Sequence, residues 1–73
     1  MTDTTQSLDP EEVVDLTLQL LVESGYYDAR VIRSYGQLSL AVRAIMASVL
    51  LREMPIMQRS EVMRRFTEIE EAT

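Results

Sequence analysis

The first third of the chain carries an apolar pattern of helical period behind a strong helix-start signal. Asp9 stands at an N-cap position, Pro10 at the first helical position, and Glu12 three residues after the cap, as in a capping box. The pattern predicts a helix from Pro10 to about Ser24. Gly25 follows and supplies the left-handed residue that commonly ends a helix.

This first helix has a wider apolar surface than one neighbour would cover. Its polar side chains share one narrow strip, formed by Glu12, Asp15, Gln19 and Glu23. Apolar side chains fill most of the remaining circumference: Val13, Val14, Leu16, Leu18, Leu20, Leu21 and Val22. A surface helix needs an apolar stripe of only about 100°. We therefore expect burial on two sides, by this chain and by a second copy; burial against the chain's own second helix alone is the alternative.

A second helix is predicted from Gln37 to Glu53, and it is apolar nearly all round. Ser34 and Gln37 have the spacing of another capping box, and Pro55 marks a stop or a kink. One side of the helix carries a strip of small or short side chains: Gln37, Ala41, Ala44 and Ser48. This strip either meets the first helix or forms a self-complementary two-fold contact. We favour the two-fold contact, with this dimer interface: Leu38, Ala41, Ala44, Ile45 and Ser48.

The third segment, from Pro55 to about Glu71, is amphipathic. Five apolar side chains share one face at helical spacing: Ile56, Val62, Met63, Phe66 and Ile69. Its start, at Pro55 or at Ser60, is left open. Residues 29–35 are expected to be helical or irregular, with a strand as the alternative. Residues 1–7 are predicted to be a disordered tail and residues 8–73 a single helical domain.

Length and composition limit the chemistry. A chain of 73 residues buries only about 60% of its unfolded surface, so its core is marginal. Small scaffolds compensate with disulfides, metals or association, and the chain contains no cysteine and no histidine. Association remains, and His- or Cys-based catalysis is excluded. We expect a protein that is not an enzyme and has no cofactor or metal.

Two features indicate a cytoplasmic protein. The N-terminus is acidic and polar and lacks the basic and apolar regions of a secretory signal. The longest apolar run, residues 38–51, is interrupted by Arg43 and is too short for a bilayer, which needs about 20 residues.

Charge is strongly segregated within a net charge of −5. Residues 1–28 hold seven acids and no base, residues 29–65 hold all seven arginines, and residues 66–73 are acidic again. Two explanations stay open: neutralisation within the chain or a dimer, and recognition of another macromolecule. DNA binders are typically basic, whereas this chain has a sequence pI near 4.5 and no lysine. We therefore do not expect nucleic acid to be the partner.

The connector at residues 24–36 is the favoured contact surface. It holds all three tyrosines and two of the seven arginines between two apolar segments. Tyrosine and arginine are enriched at interface hot spots. The predicted partner-binding residues are Tyr26, Tyr27, Asp28, Arg30, Arg33 and Tyr35. The alternative is that the tyrosine rings cap a small core with their hydroxyls in water.

The chain is short, its first helix opens with a cap at LDPEEV, and its apolar second helix ends at REMP. In these features it resembles small acidic helical proteins that phages encode to inactivate host regulators. Anti-activators of quorum-sensing transcription factors are among them. The resemblance implies stoichiometric binding and inhibition of a larger regulatory or motor protein. The expected fold is all-α, a homodimeric bundle with two long helices, the second of them central, and a C-terminal helical segment. A dimeric DNA-binding repressor or antitoxin using arginines in residues 30–65 is the alternative function.

Overall fold

The computed structural model describes residues 8–72, and this part of the chain forms four α-helices and no strand. These are α1 (Pro10–Ser24), α2 (Ala29–Ser34), α3 (Leu40–Glu53) and α4 (Ile56–Ala72), with a 3-10 turn (Tyr35–Gln37) between α2 and α3. The all-α prediction is confirmed. The tail predicted at residues 1–7 lies outside the described residues.

Helix α1 begins and ends where the sequence predicted. The Asp9 carboxylate accepts a hydrogen bond from the Glu12 amide at 2.8 Å, and the Glu12 carboxylate accepts one from the Asp9 amide at 3.1 Å. This is a complete capping box. At the other end Gly25 has φ 74° and donates its amide to the Val22 carbonyl. Both helix-end predictions for α1 are confirmed.

The predicted start of the second long helix is wrong by three residues. Gln37 belongs to the 3-10 turn, Leu38 is extended, and the helix begins at Leu40. The cap is Ser39, whose hydroxyl accepts from the Val42 amide at 3.3 Å. Ser34 does not cap this helix, because its hydroxyl donates to the Val31 carbonyl of α2. The capping hydroxyl of α3 therefore comes from Ser39 and not from the capping box predicted at Ser34.

Two further segments are settled by the structure. The strand alternative for residues 29–35 is wrong, because Asp28 caps a short helix there. The helix predicted from Pro55 to about Glu71 is confirmed as α4, which is the longest helix among residues 8–72. It starts directly after Pro55, whose carbonyl accepts the first helical hydrogen bond from the Arg59 amide at 3.0 Å.

The core is built around α1, which packs against α2, α3 and α4 in turn. Leu21 is fully buried and Leu20 nearly so, each contributing about 2 kcal/mol. All four helices supply the buried side chains: Leu18, Leu20, Leu21, Ile32, Ala47 and Val62, with Met54 just after α3. Every apolar side chain of α1 is buried or half-buried within this one chain. Within one chain, α2, α3 and α4 together cover the apolar arc of α1. This differs from the expectation that a second copy covers one side of α1, and also from the alternative that the second long helix covers it alone.

The unburied apolar surface lies on α3 and α4 instead. Helix α3 turns Ala47 into the core and leaves Ile45, on its opposite side, 61% exposed. On α4, Val62 is buried and Phe66 and Ile69 are half-buried, as the apolar face predicted. The other two residues assigned to that face, Ile56 and Met63, are exposed because α4 contacts α1 along a narrower stripe.

Leu21→Ala tests the central position of α1. Removing a fully buried leucine leaves a cavity, and we expect the free energy of unfolding to fall by about 2–5 kcal/mol in urea titrations followed by circular dichroism. Met57→Ala, at a side chain 81% exposed, is the control and should change stability by less than about 0.5 kcal/mol. Equal losses in the two variants would contradict this assignment of the core.

Candidate protein-interaction site

The connector, residues 24–36, includes α2 and leads from α1 towards α3, and its two adjacent tyrosines differ in exposure. Their ring centroids lie 4.9 Å apart with the planes perpendicular, an edge-to-face pair. Tyr26 is 46% exposed, whereas Tyr27 is half-buried against the core. Of this pair, Tyr26 offers its ring to solvent.

Tyr27 holds the connector onto α3. Its hydroxyl donates to the Leu50 carbonyl at 2.5 Å. The Met54 amide donates to Leu51 rather than Leu50, so the tyrosine satisfies a carbonyl in the last turn of α3. The alternative that places every tyrosine hydroxyl in water is therefore wrong for Tyr27. The pKa of Tyr27 is raised above its ordinary value. The main cause is the partial burial of its hydroxyl, and the nearby negative charge of Glu53 and the neighbouring Tyr26 add to it.

Asp28 and Tyr35 also serve the fold. The Asp28 carboxylate caps α2 by accepting from the Arg30 amide at 2.9 Å, and it pairs with the Arg30 guanidinium at 3.5 Å. Tyr35 is half-buried against the core. Arg30 extends into solvent with 90% of its side chain exposed. The predicted connector residues free to meet a partner are therefore Tyr26, Arg30 and Arg33.

Arg33 lies on the rim of a groove between α1 and the α2 segment. The groove has a volume of about 360 Å³ and an apolar floor formed by Leu18, Val22 and Ile32. Asp15, Gln19 and Glu23 of α1 line the opposite rim, and Gly36 completes the lining. Sequence periodicity identified the α1 strip but could not place it opposite Arg33, because that requires the angle between α1 and α2.

The predicted dimer residues lie on the solvent side of α3. Leu38 and Ile45 are exposed, as are Ala41 and Ser48, while Ala44 is half-buried at the edge. The strip of small residues therefore does not meet α1, which was the alternative to a two-fold contact. The same face contains exposed Val42 and half-buried Val49, which the sequence prediction omitted. Val42 precedes Ile45 by three residues and Val49 follows it by four, and this helical spacing could have identified both.

Two interhelical ion-pair sites neutralise acids of α1 within the chain. Arg43, with only 11% of its side chain exposed, pairs with Asp15 and with Glu11, the latter at 3.5 Å. Arg65 of α4 pairs with Glu23 at 2.9 Å. Neutralisation inside the chain thus accounts for much of the acidic strip.

The remaining arginines divide into two groups. Arg64 is held within α4 by Glu61 and Glu68, and the hydrogen bond with Arg64 lowers the pKa of Glu61. Among residues 8–72, three arginines form no ion pair: Arg33, Arg52 and Arg59.

Over the described range, acidic side chains do not gather in a group of three or more able to hold a metal ion. No helix between residues 8 and 72 has the length and apolar character needed to span a membrane. No protein-family model matches the chain, and no curated protein or solved structure shows significant similarity to it.

Tyr27→Phe tests the structural role of the connector tyrosine. Loss of the hydrogen bond to Leu50 should lower the free energy of unfolding by about 1 kcal/mol at neutral pH. Because the folded-state pKa is raised, the stabilisation is present below about pH 10 and is lost as pH rises through the folded-state pKa. The variant should therefore lose less stability than the wild type as the pH is raised above about 10, where the tyrosine of the unfolded chain ionises. Urea unfolding from neutral to alkaline pH measures both effects.

Tyr26→Phe, at the exposed ring, is the matched control and should leave stability nearly unchanged. If Tyr27→Phe were as stable as the wild type and equally sensitive to alkali, Tyr27 would not anchor the connector.

Proposed function

We propose that the chain is a homodimeric, non-catalytic interaction module that binds and inhibits or regulates a larger protein. A host transcriptional regulator is the partner class that the resemblance to phage anti-activators implies. The observation that carries the proposal is the bare apolar face of α3, defined by Ala41, Val42, Ile45, Ser48 and Val49, with exposed Leu38 just before the helix. The connector is the surface left for the partner.

Burial on only one side is unusual for a helix of this composition. Helix α3 is apolar around its circumference, yet within the described chain it contributes one fully buried residue, Ala47. Helices that are apolar all round are normally enclosed on more than one side. On the bare face, Val42 and Ile45 remain exposed, and the charged neighbours Arg52 and Glu53 lie near the C-terminal end of α3. A second copy centred on Ile45 would cover the middle of this face without burying a carboxylate.

A two-fold axis at Ile45 gives complementary contacts. In an antiparallel pair of α3 helices, residues at equal distances before and after Ile45 face one another. Val42 then meets Ser48, and Ala41 meets Val49, so each larger side chain opposes a smaller one.

The connector suits a partner contact for separate reasons. Tyr26 provides an exposed aromatic ring, and Arg30 and Arg33 provide guanidinium groups in solvent. Aromatic rings and arginine are frequent anchors of protein interfaces. None of the three belongs to α3, so the proposed dimer contact and partner contact are formed by different segments of the chain.

The alternative of a DNA-binding repressor or antitoxin has less support. Arg43, Arg64 and Arg65 are engaged with carboxylates of the same chain, and those carboxylates would repel phosphates. The three arginines without ion pairs belong to three different helices rather than one recognition helix.

Ile45→Glu tests the dimer. Light scattering should give the wild type twice the 8.4 kDa mass of one chain, and the variant the mass of one chain, because the substitution buries an unpaired carboxylate at the two-fold axis. Met57→Glu, at an exposed apolar side chain of α4, is the control and should remain dimeric. A wild-type mass of 8.4 kDa at all concentrations, or dissociation of Met57→Glu alone, would contradict the proposed interface.

Partner capture tests the function itself. Immobilised wild-type protein should retain one regulatory protein from host cells in a fixed ratio, and folded Arg30→Glu should retain less of it; Arg59→Glu on α4 is the charge-matched control. Fluorescence anisotropy with random duplex DNA at low salt is the opposing measurement. A salt-steep micromolar signal together with no retained protein would favour the DNA-binding alternative.

A further inference from the structure

The groove between α1 and α2 has a chemistry of its own. Leu18 and Ile32 are buried in its floor and Val22 is half-buried, so the floor is apolar and formed by side chains already fixed in the core. A volume of about 360 Å³ accommodates one or two apolar side chains rather than a whole helix. Small concave sites of this kind bind through an apolar anchor, and a few polar groups set its orientation.

Both carboxylates on the α1 rim of the groove are ion-paired within the chain. Asp15 shares Arg43 with Glu11, and Glu23 pairs with Arg65 while accepting a hydrogen bond from Gln19 at 3.2 Å. These pairs weaken the attraction of the α1 rim for a cationic ligand and its repulsion of an anionic one.

Arg33 on the opposite rim has no such partner. It forms no ion pair with any residue between 8 and 72, although two carboxylates line the same groove. Its guanidinium is exposed and can form a forked pair with an incoming carboxylate. The groove thus combines an apolar floor with one uncompensated positive charge at its edge.

We propose that this groove binds an acidic peptide segment of the partner, with an apolar side chain on the floor and a neighbouring carboxylate on Arg33. The inference rests on the proposed function, because it identifies how the connector would recognise the larger protein. It commits to a protein ligand in which an Asp or Glu adjoins a Leu-sized residue.

The test uses dipeptides as probes in a nuclear magnetic resonance titration of the full chain. Acetyl-Leu-Glu-amide should shift the amides of Val22, Ile32 and Arg33 saturably, with weak, millimolar affinity. Acetyl-Leu-Gln-amide, which keeps the anchor and loses the charge, should bind about threefold to tenfold more weakly. Arg33→Gln should remove this difference, whereas the control Arg59→Gln, an equally unpaired arginine on α4, should preserve it.

Several outcomes would overturn the proposal. These are shifts that map outside the groove, equal binding of the Glu and Gln peptides to the wild type, and an unchanged preference in Arg33→Gln. A fall in dimer mass on adding the peptide would show that a second copy occupies the groove. Displacement of the peptide by random duplex DNA at low salt would assign Arg33 to phosphate binding.

The groove and the proposed function fail separately. If wild type and Arg33→Gln retain the same host protein equally well, the function stands and the groove assignment is wrong. If the wild type retains no protein, the function itself is wrong, whatever the peptides do.

Discussion

The burial of α1 by the rest of the chain is the constraint on which the structure depends. Leu20 and Leu21 are among the most buried side chains, and α2, α3 and α4 each pack against this helix. With about 60% of the unfolded surface buried in so short a chain, few alternative cores exist. Arg43 and Arg65 reinforce the arrangement, because they join α3 and α4 to the acidic strip of α1. The strip that is polar in the sequence therefore contributes to the same core assembly as the apolar arc.

Covering α1 determines which surfaces remain for other molecules. Helix α3 packs one side against α1, and its opposite side is apolar and exposed. Small chains without disulfides or metals are commonly stabilised by association, and this exposed side of α3 is where we propose it. The connector is free for a different task, because Tyr27 anchors it to α3 while Tyr26, Arg30 and Arg33 point to solvent. In the function proposed above, assembly and recognition therefore use separate elements of a very small protein.

The ends of α1 could be predicted from residues close together in the sequence, whereas the start of α3 depends on the backbone conformation. Asp9, Glu12 and Gly25 define α1 because capping and left-handed termination act over a few residues. The start of α3 was missed because Ser34 and Ser39 both offer a capping hydroxyl, and only the bend at Leu38 decides between them.

The candidate site was predictable to a similar degree. The tyrosine and arginine content of the connector identified it as a candidate contact surface. Which tyrosine anchors the fold and which stays exposed depends on which ring reaches Leu50, a residue 23 positions from Tyr27. The groove beside Arg33 depends on how α1 and α2 meet, which periodicity does not specify. Likewise, the wide apolar arc of α1 correctly indicated more than one neighbour, and the additional neighbours proved to be α2 and α4 of the same chain.

An isotope-filtered nuclear Overhauser spectrum of mixed labelled and unlabelled chains tests the central claim most directly. The account predicts contacts between chains from the methyl groups of Val42 and Ile45, and contacts only within a chain from Leu20 and Leu21. Contacts between chains at Leu21 would show that α1 is covered by a second copy, and would contradict the account.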